Sequence, residues 1–280
     1  RCTAYDGQGP QVAVGAKSGQ EVPRVMMCSG RGLRFKVAVL IVLAITSSVA
    51  VWAADSPDPA EQECIRDLAQ AFEALEAGDG ESAIDHYRNA LGKAISKDLR
   101  FQALLGLGSS YAAVGESDQA IGALKKARDL APDDASVWYT LGTAYASAGR
   151  VDDAISALAE AGFLAPDLAA AHYDHCILLS GEGRHADAVE ACEAATRAEP
   201  DLVEVWVGLG VAQYHLVAYE EAGEAFKRAL ELDPDHARAH YGLGLSLLYA
   251  DDERGAKEQY LVLKRIDPDL AQQLYELIFP

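Results

Sequence analysis

The 280-residue sequence has no G-x-x-x-x-G-K-[ST] phosphate loop, no G-x-S-x-G turn, no H-E-x-x-H, no C-x-x-C and no C-x-x-C-H. Phosphate cradling, an activated serine, helix-borne zinc, dithiol exchange and haem attachment each need one of those spacings. Their absence points away from an enzyme and leaves no cofactor or metal to expect. Positive charge is scarce as well. Lys and Arg number 24 against 43 Asp and Glu, a net charge of −19, and no long run of Lys and Arg follows Lys36. A surface that negative repels phosphate backbones, which bind proteins by releasing counterions at cationic patches. Nucleic acid is therefore not an expected partner, and no small-molecule substrate is indicated. Aromatic residues are few, at 8%, while alanine, leucine and glycine abound. Small residues in that quantity fit helices packed at close range.

Near the start the balance reverses, with Arg1, Lys17, Arg24, Arg31, Arg34 and Lys36 facing only Asp6 and Glu21. Arg31, Arg34 and Lys36 precede an apolar run from Val37 to Val51, and Val51-Trp52-Ala53 places small residues at −3 and −1 of a cut. That is the three-part arrangement of a secretory signal peptide, expected over 26–53, from the Met26-Met27 pair to cleavage after Ala53. Residues 1–25 show no periodicity and read as an upstream extension, and 54–63 as a linker. The alternative is an uncleaved Val37–Val51 anchor, at the short limit for crossing a bilayer. Either way the bulk of the chain is expected outside the cytoplasm, periplasmic or extracellular, touching a membrane only if that helix is kept.

Beyond the linker a repeat takes over. Pro132, Pro166, Pro200, Pro234 and Pro268 stand 34 residues apart, each followed by aspartate. Proline cannot continue a helix, and an aspartate side chain accepts the unpaired N–H groups that open one. Each Pro-Asp is thus expected to end one helix and cap the next. Ala120, Ala154, Ala188, Ala222 and Ala256 keep the same beat, as do Gly108, Gly142, Gly210 and Gly244, with Cys176 in the missing glycine's place. Gly78, Gly115, Gly149 and Gly183 mark a tight turn inside the first four units.

Trp138, Leu141, Gly142, Tyr145, Ala154, Leu158, Ala161 and Pro166 follow the tetratricopeptide-repeat pattern, and Trp206, Leu209, Gly210, Ala222, Phe226, Ala229 and Pro234 repeat it. The chain resembles that family over six units near 64–100, 101–134, 135–168, 169–202, 203–236 and 237–268, with a capping helix over 269–280. The resemblance implies an all-α fold, a right-handed superhelical solenoid whose first helices line a concave groove. It further implies that the fifth residues (Leu105, Tyr139, Tyr173, Val207 and Tyr241) and the ninth (Thr143, Ile177, Val211 and Leu245) face that groove. Tyr214, Leu248 and Tyr249 extend the aromatic surface. The implied partner is a protein or peptide; the alternative is that these side chains pack on neighbouring helices. Family members that clamp chaperone C-terminal carboxylates carry Lys at the fifth residue and Asn at the sixth and ninth. Neither stands at those places here, so that ligand is not implied.

The fourth unit departs from the pattern. His172, His175 and Cys176 share a helix face at a spacing that could converge on a metal, although a core histidine and a buried thiol are the commoner outcome. Cys176 and Cys192 occupy facing helices of one hairpin and could form a disulfide in an oxidising compartment, leaving Cys64 single, free or open to an intermolecular bond. A redox- or metal-responsive module centred here is the alternative function.

Overall fold

The computed structural model describes residues 58–280, so the expected extension, signal peptide and start of the linker lie outside the described residues. Among those described the chain forms helices and no strand: α1 (Pro59–Glu76), α2 (Gly80–Lys93), α3 (Lys97–Ala113), α4 (Ser117–Leu130), α5 (Ala135–Ser147), α6 (Val151–Leu164), α7 (Ala169–Gly181), α8 (His185–Ala198), α9 (Val203–His215), α10 (Tyr219–Leu232), α11 (Ala237–Tyr249), α12 (Glu253–Ile266) and α13 (Pro268–Ile278). They pair as six hairpins, α1/α2 through α11/α12, and α13 packs on the last pair to close an all-α repeat superhelix. None of these helices is long and apolar enough to cross a membrane.

First helices of successive hairpins also pack on one another (α1 on α3, α3 on α5, α7 on α9, α9 on α11), whereas second helices make no comparable contact with the next. Rods that touch along one edge must curve towards it, so the odd-numbered helices line the inner side. Their composition follows. Helices α3, α7 and α9 are apolar on nearly every side because each lies between two second helices, while α10 and α12 keep one apolar stripe and carry charge on the rest.

Three of the hairpins are locked by a missing side chain. A Cβ on Gly108 would lie 2.5 Å from Leu124, one on Gly142 2.6 Å from Leu158, and one on Gly210 2.8 Å from Phe226. The glycine of the first helix thus receives the large residue of the second, and Ala120, Ala154 and Ala222, all fully buried, let the backbones approach. The loops between units are pinned as well. Trp138 and Trp206 donate their indole N–H to the carbonyls of Pro132 and Pro200, each at 2.7 Å. Ring nitrogens of His172 and His240 meet the carbonyls of Pro166 and Pro234 at 3.3 and 2.9 Å. His172 therefore stands in for tryptophan as a loop pin.

Several boundaries differ from expectation. The aspartate of Pro-Asp does not cap the next helix: Asp133, Asp167, Asp201 and Asp235 sit in a turn, and the cap is the residue after. Asp134 accepts from the Ser136 N–H and His236 Nδ1 from the Ala239 N–H, while Leu168 and Leu202 make no side-chain cap. The chain needs both Pro and Asp to reverse direction, which leaves the aspartate one residue short of the open N–H groups. At the end no such reversal occurs. Pro268 enters the first turn of α13 directly, where its lacking N–H costs nothing, and Asp267 caps Leu270, so the capping helix starts before Asp269. Helix α1 starts at Pro59, inside the expected linker, because Asp58 caps it. Helix α3 starts at Lys97 because Ser96 accepts from the Leu99 N–H, which moves the first unit boundary ahead of residue 100.

Inside the hairpins, Gly78, Gly115, Gly149 and Gly183 adopt φ of 79°, 85°, 73° and 73°, and the same place in the last two units holds Val217 and Asp251 at 64° and 61°. A β-branched residue is strained there, at roughly 1–2 kcal/mol, part of which glycine's greater unfolded-state freedom takes back. Val217→Gly is expected to raise stability by about 0.5–1 kcal/mol, read as a higher urea midpoint. An unchanged or lower midpoint would show that the valine is not strained.

Candidate protein-binding face

The ten residues expected in the groove divide sharply. Leu105, Tyr139, Tyr173, Val207, Val211, Tyr214, Tyr241 and Leu245 are buried, and only Thr143 and Ile177 remain half-exposed. Two of the fifth-position side chains, Tyr139 and Tyr173, reach along the solenoid into the next unit instead of out of it. The Tyr139 hydroxyl donates to Asp174 Oδ2 at 3.3 Å, and the Tyr173 ring lies 3.1 Å from where a Gly208 Cβ would stand. Asp174 and Gly208 are both sixth residues of the following unit, so fifth meets sixth across these two junctions, whereas Gly106 and Gly242 receive Tyr87 and Phe226. These tyrosines join units together, with Tyr173 packed among Ala195, Val205 and Ile177. Burial, then nearby Tyr249, pushes Tyr241 up to about 12.

Two other expectations are placed by the structure. Cys176 and Cys192 form a disulfide with Cα atoms 5.3 Å apart, at the positions where the hairpin before carries Gly142 and Leu158 and the hairpin after carries Gly210 and Phe226. Cys176 is therefore not a metal donor, and among the described residues no group of three His, Cys, Asp or Glu side chains converges. Cys64 is fully buried, donates its S–H to the Ala90 carbonyl at 3.2 Å, and is pushed up to about 11 by that burial. A thiol so placed is not presented for an intermolecular bond.

The inner face that stays open is built from the ninth residues and their neighbours: Ser109 on α3, Thr140 and Thr143 on α5, Ile177 on α7 and Leu248 on α11, all half-buried. It is hydroxyl-lined in the first half of the solenoid and apolar in the second. The serine and threonine hydroxyls donate back into their own helices (Ser109 to Leu105, Thr140 to Ser136, Thr143 to the Thr140 carbonyl), which leaves their lone pairs for a visitor.

Along the rim formed by the intra-hairpin turns of units four to six runs a ladder of rings. His185 stacks on His215 with centroids 4.6 Å apart, and Tyr219 stacks on Tyr249 at 5.3 Å. Tyr214 bridges the two pairs, edge-on to His215 at 5.8 Å and to Tyr249 at 5.8 Å, and 5.4 Å from Tyr219. Burial, then His185, lowers His215 to about 4, and burial lowers His185 too. Burial, then Tyr249 and Tyr219, raises Tyr214. Those shifts favour the uncharged forms of both histidines and of Tyr214. Tyr214 and Tyr249 stood out in the sequence; His185, His215 and Tyr219 as ladder members did not. The signal was present, since His185 and Tyr219 are one repeat apart, and so are His215 and Tyr249.

Comparison with known proteins agrees with this architecture. The family model described as "Tetratricopeptide repeat" matches residues 105–169, 173–236 and 219–271. The solved structure of MamA is 29% identical, with a TM-score of 0.54 over 60% of this chain and 96% of that one. YrrB, described as a tetratricopeptide-repeat protein with an unusual peptide-binding site, is 20% identical, with a TM-score of 0.62 over 69% of this chain and 100% of that one. PilF of Pseudomonas aeruginosa is 20% identical, with a TM-score of 0.64 over 78% of this chain and 99% of that one. At 20% identity YrrB and PilF speak for the fold alone. The curated proteins give no match.

Proposed function

The chain belongs to the tetratricopeptide-repeat family, and from that premise we propose that it is a non-catalytic scaffold that holds a protein or peptide segment against its inner face. The observation that carries this reading is the curvature. Because first helices pack on first helices between units while second helices do not pack on second helices, the solenoid presents an inner surface, open at Thr143 and Ile177 and graded from hydroxyl-lined to apolar. Such a surface suits an extended segment or an amphipathic helix. The description of YrrB as peptide-binding is in keeping with it. We further propose that the protein acts outside the cytoplasm, in the assembly of an envelope or secreted complex. Support comes from the signal-like Val37–Val51 stretch and from the Cys176–Cys192 disulfide, a bond that persists in oxidising compartments. A mature N-terminus at Ala54 is the expected sequencing result. An intact Val37–Val51 would favour the anchored alternative.

The test of the inner face is crosslinking in cells followed by identification of what is joined, with Thr143→Arg and Ile177→Arg beside the native chain. Both sites are half-exposed, so folding should survive, and a bulky cation there is expected to lower the yield of a discrete set of crosslinked proteins about tenfold, the scale of one lost contact near 1.4 kcal/mol. If both variants keep every partner, the inner face is not the binding face. Tyr139 and Tyr241, being buried, would report on folding instead.

A second reading, a redox-responsive module, is favoured by the same disulfide, which staples a hairpin at the middle of the array. The metal half of that alternative has no donor set among the described residues.

A further inference from the structure

Across the chain, aromatic rings are covered by the chain's own cations. Arg88 lies over Tyr111 at 5.6 Å, Arg150 over Tyr145 at 4.7 Å, Arg128 over Trp138 and Arg228 over Trp206 each at 5.7 Å, and Lys257 over Phe279 at 5.2 Å. The rim ladder breaks this habit. Among the described residues no cation stands over Tyr214, Tyr219 or Tyr249. The turns of units four to six carry carboxylates instead: Glu182, Glu220, Glu221 and Asp251 are exposed there, and none of them enters an ion pair among the described residues. Arg184 and Arg254, the basic residues of this rim, are held by Asp187 and Glu258.

The backbone adds an independent sign. Four hairpins turn on glycine, whereas Val217 is held in the left-handed region with its side chain 65% exposed, next to Leu216 at 44% and on the same rim as Tyr249 at 42%. A strained valine that stays mostly exposed is the kind of feature that suits a contact with something else. Beneath the ladder, the buried Tyr241 hydroxyl has no hydrogen-bond partner.

We propose that the ring ladder of units four to six is a docking strip for an arginine-bearing stretch of a partner polypeptide. Guanidinium groups lie on the open faces of Tyr219 and Tyr249 between the unpaired carboxylates, and an apolar neighbour of the arginine packs on Leu216 and Val217. Arginine fits better than lysine because a planar cation stacks on a ring while its edge N–H groups reach carboxylates. An anionic partner would meet repulsion from the four free carboxylates. This inference rests on the reading that the chain binds a polypeptide, names the chemistry of that polypeptide, and places its contact on the rim.

The test uses the full chain and a fluorescein-labelled octapeptide of alternating Arg and Leu, with Lys-Leu and Glu-Leu octapeptides beside it, by anisotropy at about 0.15 M salt. The Arg-Leu peptide is expected to bind, the Lys-Leu peptide more weakly, and the Glu-Leu peptide not measurably. Tyr219→Leu with Tyr249→Leu removes ring faces at constant charge and is expected to weaken Arg-Leu binding about tenfold. Tyr249→Phe, which keeps the ring, should bind as the native chain does. Should the double variant lose its thermal transition, Tyr249→Leu alone, at an exposed site, decides by the same comparison. Equal Arg-Leu affinity in native and ring variants would assign the attraction to net charge and overturn the strip. If that happens while Thr143→Arg and Ile177→Arg still lose their crosslinks, the scaffold reading stands and only the strip falls. If ring-dependent binding persists but no crosslink depends on Thr143 or Ile177, the inner face falls and the strip stands.

Discussion

Phe226→Ala is expected to cost about 3–5 kcal/mol, the range for removing a fully buried aromatic ring. The ring is fully buried on α10 and fills two gaps at once. A Cβ on Gly210 of α9 would come within 2.8 Å of it, and one on Gly242 of α11 within 2.4 Å. Phe226 therefore holds its own hairpin closed and joins unit five to unit six, beside Val207, Tyr241 and Leu245. Alanine cannot fill either gap, and the glycines have no side chains with which to follow it inward. The loss should be local, because a repeat array couples mainly nearest neighbours: hydrogen exchange is expected to quicken in α9 to α12 and little in α3 to α6. Phe226→Leu, the residue at the matching places 124 and 158, should cost much less. A drop under about 1 kcal/mol for the alanine variant, or loss of protection spread evenly over the chain, would show that the ring is not the junction.

The contrast between what was and was not legible in the sequence follows the range of the forces involved. Helices, hairpin turns and small-to-large interlocks depend on residues within one unit, so a 34-residue beat of proline, glycine and alanine reveals them. Gly115 and Gly149 announce left-handed turns, and Gly142 with Leu158 announces a lock. Caps were misplaced by a single residue because Pro-Asp is consumed in reversing the chain, a demand of the loop that its own letters do not state. The groove was misread for a larger reason. Whether Tyr139 faces outward or into Asp174 depends on how far one unit rotates on the next, and that rotation is set by contacts between residues 35 apart. The ring ladder belongs to the same non-local class. His185 meets His215, and Tyr219 meets Tyr249, only once the units are stacked.

Reduction of the Cys176–Cys192 bond is expected to lower stability by about 3 kcal/mol, the scale for a cross-link whose residues are about 15 apart in sequence; here the separation is 16. The bond stands where other hairpins use shape. Gly108 with Leu124 and Gly142 with Leu158 fill the same contact without covalency, and both cysteines are fully buried. Two thiols left there would occupy a volume close to glycine plus leucine, so the reduced hairpin should not collapse into a new packing; it loses chiefly the constraint on its unfolded state. Cys192→Ser should reproduce the loss and add to it, since a buried hydroxyl then needs a partner. Cys176→Gly together with Cys192→Leu restores the shape lock of α3/α4 and α5/α6, and is expected to make the urea midpoint indifferent to reductant. A native midpoint that does not move with reductant would mean the bond contributes nothing. Alkylation of the protein taken directly from cells separates the compartments: both thiols blocked by the bond is the outcome expected of an exported chain, and both reactive after unfolding is the outcome that would place it in a reducing one.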